Sequence, residues 1–242
     1  MKKQKRRKRR NYKRKQKNRS LLLISVFILI ILIASYIKKT DISKDLPANS
    51  QNKEPISMGI DISEWQSDID FKKVRRQGYS YVIIRTGFGW EYEDIHFKEH
   101  IEGAKKAGLQ VGVYHYSHAT TPYQAELEAN LVMDIIEDYY LDLPIFYDIE
   151  SDRQNHLTRD ELTEIVQTFV QTLESNGYNP GIYAAESWFR DRIDMNQFEE
   201  YPKWIASYTN YLSYEGDYDY WQYTDTGNVN VVRGNCDINI KY

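Results

Sequence analysis

Residues 144–150 read Pro-Ile-Phe-Tyr-Asp-Ile-Glu, a short apolar run that ends in two acids. Such a run is too short for an ordinary helix and suits a strand buried on both faces. The flanking stretches, 122–138 and 158–176, have helical spacing instead, so the strand lies between two helices, as a parallel sheet requires. The alternation continues outward in both directions. Strand-like runs at 58–62 (MGIDI), 81–85 (YVIIR), 111–115 (VGVYH), 144–148 and 181–184 (GIYA) are separated by helical stretches near 70–77, 94–107, 122–138 and 158–176. Thr121-Pro122 with Gln124, and Thr158 with Glu161, read as helix starts, while Gly78, Gly108 and Gly177 stand where helices stop. After Trp188 the helical period fades and three more strand-like runs follow, at 203–207, 219–223 and 237–241. Five strand–helix units and three further strands predict an α/β fold: an irregular TIM-like barrel, (β/α)5(β)3, with an incomplete helical ring. In a barrel of this kind the chemistry gathers at the carboxyl ends of the strands.

The charge is segregated. Residues 1–20 hold 13 Lys or Arg, and no Asp or Glu precedes Asp41, although the whole chain of 242 residues carries a formal charge of only -3. Residues 40–242 hold 17 basic and 35 acidic residues, a balance of -18, which excludes nucleic acid as the ligand of the globular part. Five Trp, 21 Tyr and eight Phe supply ample apolar area for a core. With Cys236 the sole cysteine, no intrachain disulfide can help to hold it.

Leu21 to Ile37 contains no charged residue and, as a helix rising ~1.5 Å per residue, would span ~26 Å of hydrocarbon. The run is longer than the apolar core of most cleaved leaders, and Ala34-Ser35-Tyr36 is a poor cleavage site. It is expected to be an uncleaved signal anchor with residues 1–20 as a basic cytoplasmic tail. Residues 38–57 are polar and aperiodic, a linker with a coil span of ~25 Å. The globular domain is expected over 58–242, outside the membrane.

Acids stand at three predicted strand ends: Asp61, the pair Asp148 and Glu150, and Asp237. Asp148 and Glu150 lie two apart, so an extended backbone points both to one side with alpha carbons about 6.6 Å apart. Two carboxyls so placed can divide the work of glycosidic cleavage, one held protonated to donate to the leaving oxygen and one ionised beside the developing oxocarbenium. The spacing alone is weak evidence, because acid-x-acid recurs at Asp68/Asp70, Glu91/Glu93, Glu126/Glu128, Glu150/Asp152 and Asp217/Asp219. The apolar strand that aims Asp148 and Glu150 at the rim sets them apart; a buried structural pair is the alternative.

The runs GIDISEWQSDIDFKKVRRQGYSYVIIRTG, AGLQVGVYHYS, PIFYDIE, GIYAAESWF, KWIASY and YDYWQYTDTGNVNVVRGNCDIN, in that order across 58–242, resemble the glycoside hydrolase family 25 muramidases. The resemblance implies a lysozyme-type enzyme that cuts the β-1,4 bond between N-acetylmuramic acid and N-acetylglucosamine in peptidoglycan glycan strands, with no cofactor and no metal. It further implies that Glu150 is the proton donor, Asp148 its partner, and Asp61 and Asp237 the other active-site acids. Asp148 would either attack the sugar or orient the substrate's 2-acetamido group for internal attack, the route favoured here. Tyr114, Tyr147, Tyr183, Trp204, Trp221 and Gln222 lie in strand-end motifs and are expected to line the groove, where aromatic faces suit sugar rings. The chain departs from the family at Ser67-Asp68 and Phe71, and at Arg85-Thr86-Gly87-Phe88-Gly89, where the family commonly has A-T-E-G.

Other chemistries are weaker. His96-Phe97-Lys98-Glu99-His100 matches H-x-x-E-H, but it falls on an outer helix away from the acids. His115 reads as a packing or groove histidine, and Cys236 as a small apolar filler. A catalytically silent wall-binding barrel and a chitinase-like hydrolase remain as alternatives.

Overall fold

The computed structural model describes residues 28–29, 46–229, 232 and 235–242. The chain divides into two compact units, Met1–Leu46 and Pro47–Tyr242. In the first, Ile28 and Leu29 are helical; the expected tail and the rest of the expected anchor lie outside the described residues. Among the described residues no helix is long and apolar enough to cross a membrane.

The strands of the second unit are β1 (Ala48–Asn49), β2 (Ser57–Ile62), β3 (Tyr81–Phe88), β4 (Tyr92–Glu93), β5 (Gln110–Tyr116), β6 (Ile145–Asp148), β7 (Pro180–Ala185), β8 (Lys203–Ala206), β9 (Tyr211–Leu212), β10 (Tyr220–Gly227) and β11 (Cys236–Lys241). Its helices are α1 (Phe71–Arg76), α2 (Phe97–Ala107), α3 (Pro122–Ile136), α4 (Arg159–Ser175) and α5 (Glu186–Asp191). Eight strands run in the order β2-β11-β10-β8-β7-β6-β5-β3, and a β2–β3 pairing closes the ring, with β4 added to the outside of β3. All the ring pairings are parallel except those of β11, which lies antiparallel to both β10 and β2. Each of the first five barrel strands is followed by one of the five helices; β8, β10 and β11 follow one another without any among the described residues.

Local chemistry sets the helix ends. Asp70 and Thr121 accept hydrogen bonds from the backbone N–H groups of Lys73 and Gln124, with Pro122 in the first turn of α3, and Thr158 forms a reciprocal capping box with Glu161. Helix α2 stops at Gly108, whose φ of 75° lies in the left-handed region that glycine enters without steric cost.

Inward residues alternate along each strand and fill the barrel with rings. Tyr81, Phe146, Tyr183, Trp204 and Tyr220 form one buried cluster, with Phe146 and Trp204 edge to face at 5.2 Å. Gly59 makes room for this packing, because a Cβ there would lie 2.2 Å from the Tyr81 ring. Outside the sheet, α4 buries Leu162, Ile165, Val166, Phe169, Val170 and Leu173.

Three features go beyond the sequence reading. Residues 48–49, within the stretch read as linker, pair in parallel with β9, and Ser50 Oγ donates to the Tyr214 carbonyl. Strand β3 continues to Phe88 and turns back through β4, with an irregularity at Gly87. Helix α5 forms directly after β7, although it has only six residues.

Candidate active site

The four acids of the strand ends converge at one mouth of the barrel. Asp61 and Asp237 are register partners on the antiparallel strands β2 and β11, so their carboxyls face each other across one ladder rung. Asp148 ends β6, beside Tyr116 on β5 and Tyr183 on β7. Glu150 follows two residues later, where its Oε2 accepts from the Ala185 N–H at 3.1 Å.

Gln222 organises one side of this cluster. Its Nε2 donates to Asp61 Oδ2 at 2.9 Å and to Asp237 Oδ2 at 3.3 Å, and its Oε1 accepts from the hydroxyls of Tyr183 at 2.7 Å and Tyr208 at 2.9 Å. With both amide hydrogens and both carbonyl lone pairs engaged, the orientation of the amide is fixed. Asn239 Nδ2 donates to the same Asp61 oxygen at 2.8 Å, and Asn239 Oδ1 accepts from Trp204 Nε1, also at 2.8 Å. The acids therefore rest on the aromatic filling of the barrel through polar side chains.

Burial and mutual repulsion raise all four carboxyls above their ordinary range. Asp148 is raised well above it, first by burial and then by the charges of Glu150 and Asp61, with Arg85 opposing. Glu150 is raised by burial, against the Ala185 N–H. Asp61 rises through burial despite its amide donors, and Asp237 is pushed up to about 8 by burial and the neighbouring Asp61. The cluster therefore keeps at least one proton at neutral pH, next to carboxylates that can be ionised. Asp148 Oδ1 is buried and has no hydrogen-bond partner among the described residues.

The expected groove residues divide into three sets. Tyr114 is half-buried over Trp204, its phenol pushed up by burial and by the charges of Asp61, Asp148 and Asp237, and with Tyr183 and Gln222 it shares the layer of the acids. Trp204 is 1% exposed and forms the floor beneath them. Tyr147 and Trp221 face the other way, which corrects their placement in the groove. Tyr147 is 0% exposed, stacks on Phe169 of α4 at 3.8 Å, and donates to Glu128 Oε2 at 2.6 Å. Trp221 is also 0% exposed, and its Nε1 donates to the Ser207 carbonyl. Each is one residue from an inward side chain, so the two-residue period of a strand turns it outward. Tyr147→Phe is accordingly expected to lower stability by ~1–2 kcal/mol, through lost donation to buried Glu128, and to leave kcat/KM within about twofold. Urea unfolding and turnover of the same preparation check this.

Sequence reasoning passed over Asn239 and Tyr208, and marked Arg85 only as part of a departure from the family pattern. Asn239 could have been found, since it lies two residues from Asp237 and so on the same face of β11. Arg85 holds Glu64 Oε1 at 2.6 Å and Asp94 Oδ2 at 3.1 Å, and Glu64 also takes the Tyr92 hydroxyl. These contacts join segments distant in the sequence, and no local pattern announces them. His115 is buried between Thr86 Oγ1 and the Gly89 carbonyl, and burial lowers its imidazole to about 4. His96 and His100 sit with ring centroids 5.7 Å apart on the outer helix, and among the described residues no group of three or more His, Cys, Asp or Glu is disposed to hold a metal. Cys236 is buried at the start of β11.

A closed barrel of eight strands with four acids at its mouth, Asp61 and Asp148 buried and Glu150 and Asp237 half-buried, defines the class of protein, a barrel with an acid-lined mouth. The chain belongs to the glycosyl hydrolases family 25, whose model matches residues 60–232. It is 30% identical over 181 residues to the autolytic lysozyme of Clostridium acetobutylicum, covering 74% of this chain and 54% of that one. It is 26% identical to lysozyme M1 of Streptomyces globisporus over 195 residues, 75% of this chain and 66% of that one. Among solved structures, the modular autolysin LytC of Streptococcus pneumoniae in complex with a synthetic peptidoglycan ligand superposes with a TM-score of 0.71 at 27% identity, over 77% of this chain and 46% of that one. The family 25 glycosyl hydrolase of Bacillus anthracis shares the fold with a TM-score of 0.69 at 23% identity, over 78% of this chain and 89% of that one. The chain thus spans about half the length of the clostridial lysozyme and of the pneumococcal autolysin.

Proposed function

We propose that this chain is an N-acetylmuramidase that cleaves the β-1,4 bond between N-acetylmuramic acid and N-acetylglucosamine without a cofactor. The observation that carries the reading is the state of the DxE pair. Glu150 and Asp148 are both held above their ordinary range at the mouth of the barrel, and Asp148 offers a buried oxygen that lacks a donor. Family membership and the names of the relatives support the same reaction.

In the reaction, Glu150 gives its proton to the bridging oxygen as the bond from that oxygen to the muramic C1 breaks. The acetamido N–H of the same sugar donates to the Asp148 carboxyl group, which turns the acetamido oxygen toward C1. That oxygen closes on C1, and water, deprotonated by the Glu150 carboxylate, then opens the ring formed. Anomeric configuration is retained. Asp61, hydrogen-bonded by Gln222, Asn239 and the protonated Asp237, supplies negative charge opposite the positive charge that develops on the sugar. The motive for substrate assistance is the acetamido sugar and the unpartnered Asp148 oxygen; trapping a sugar covalently on Asp148 would refute it. The experiment for the function is digestion of purified peptidoglycan, with mass analysis of the new reducing ends. Reducing-end muramic acid supports the reading; reducing-end glucosamine, or release only from chitin oligomers, refutes it.

The apolar run 21–37, preceded by 13 basic residues, supports a single-pass anchor that leaves the barrel on the outer side of the membrane, at the inner surface of the wall. An anchored chain stays with membranes through an alkaline wash and loses its barrel to externally added protease. Release by the wash would contradict anchoring.

A further inference from the structure

Beside the acids lies a second concavity. Strand β3 runs past Arg85 and folds back through β4 because residue 87 is glycine: a Cβ there would meet the Tyr92 carbonyl oxygen at 1.8 Å. The hairpin stacks Phe88 on Tyr92 with centroids 4.2 Å apart and planes 18° apart, and His118 from the β5–α3 connection packs on Phe88 at 5.1 Å. With Trp90 at the hairpin turn and Arg153 from the turn after Glu150, these rings enclose a pocket of about 360 Å³, also lined by Glu91. That volume falls in the low part of the ~300–1,000 Å³ range of small-ligand sites.

The charges in the pocket are unspent. The exposed Arg153 guanidinium, like that of Arg76, has no ion pair or side-chain hydrogen bond among the described residues, whereas Arg75, Arg85, Arg159, Arg190 and Arg192 hold protein acceptors. The carboxylate of Glu91 is likewise unpaired among the described residues and exposed. A free cation on a body with a balance of -18 attracts carboxylates, and its neighbour of opposite sign suits an amine. The flat rings between them suit aliphatic backbone and methyl groups.

The pocket adjoins the acids. Tyr116, the register partner of Asp148, sets its ring edge-on to His118 at 5.3 Å, and the charges of Asp148 and Glu150 reach its phenol. A group attached to the sugar at the cleavage point would enter here. In peptidoglycan the muramic acid carries such a group, a short peptide with carboxylates and a free amine, joined as an amide to the carboxyl of the sugar's lactyl ether.

We infer that the pocket between Phe88, Tyr92, His118 and Arg153 binds this peptide, with Arg153 on a carboxylate, so that the enzyme selects peptide-bearing strands. The inference rests on the muramidase reading above. The test compares the full chain and Arg153→Gln on two substrates: intact peptidoglycan, and the same glycan stripped of peptide by an amidase. The parent is expected to prefer the intact substrate by about tenfold in kcat/KM through KM. Arg153→Gln should lose that preference with kcat unchanged and match the parent on stripped glycan, and Arg153→Lys should recover part of it. A variant that cuts both substrates like the parent, or loses equally on both, overturns the inference while the muramidase reading stands. If removal of wall phosphate polymers, and not of peptide, abolishes the gap between parent and variant, the occupant is a phosphate and the inference is again overturned. A parent that cuts neither substrate sinks both readings.

Discussion

Glu150→Gln is expected to reduce turnover of peptidoglycan by ~10²–10⁴-fold, the range for loss of a general acid. The substitution is nearly isosteric, and its amide oxygen can still accept from the Ala185 N–H that now holds Oε2 at 3.1 Å. The fold should therefore survive, and the loss should appear in kcat with little change in KM. The check is steady-state turnover on soluble muropeptide together with a thermal scan. A turnover within tenfold of the parent would remove Glu150 from the proton-transfer step.

Asp148→Asn should separate stability from activity. The folded chain holds Asp148 well above the ordinary carboxylate range through burial and the charges of Glu150 and Asp61. The sign follows from linkage. Below the unfolded value, near pH 4, both states bind the proton and the group contributes nothing. As pH rises past it, the unfolded chain releases the proton first and the folded state is penalised, up to the raised folded value. Removing the charge should thus stabilise the protein by ~1–3 kcal/mol at pH 7, with the gain fading toward pH 4. For a domain of this size each kcal/mol moves Tm by about 2–4 °C. Turnover should fall by ~10²–10³-fold, because the N–H donor that the bound acetamido group brings draws Asp148 toward its ionised form, and a neutral amide cannot offer that charge. Thermal scans from pH 4 to 8 check the first part. A variant less stable at pH 7 than the parent would show that the charge at position 148 is compensated by the fold.

Strand and helix positions were legible because the two periods and the caps are local properties. The run 144–148 shows its length, and Thr158 with Glu161 shows where α4 begins. The four acids could be placed at the rim because each ends or opens an apolar strand. Facing was legible too, in principle: Tyr147 cannot point inward beside Asp148, nor Trp221 beside Gln222, when successive side chains alternate. Motif membership suggested the groove, and strand parity decided against it. What the sequence hides is tertiary. The β3–β4 hairpin depends on a backbone approach at Gly87 that only the folded sheet imposes, and the Gln222 hub joins Asp61 to residues some 160 positions away. The pairing of β1 with β9 involves two residues on each side, too few to leave a period.

The most direct test of the proton from Glu150 is the dependence of Glu150→Gln on the leaving group. On a natural glycan, whose leaving oxygen must be protonated, the variant should be slow by the full factor. On an aryl glycoside of the same sugar, with a phenol acidic enough to depart unaided, its first chemical step should run at close to the parent rate. If the variant is equally impaired on both, residue 150 does not serve as the acid, and the reaction proposed for this cleft is wrong.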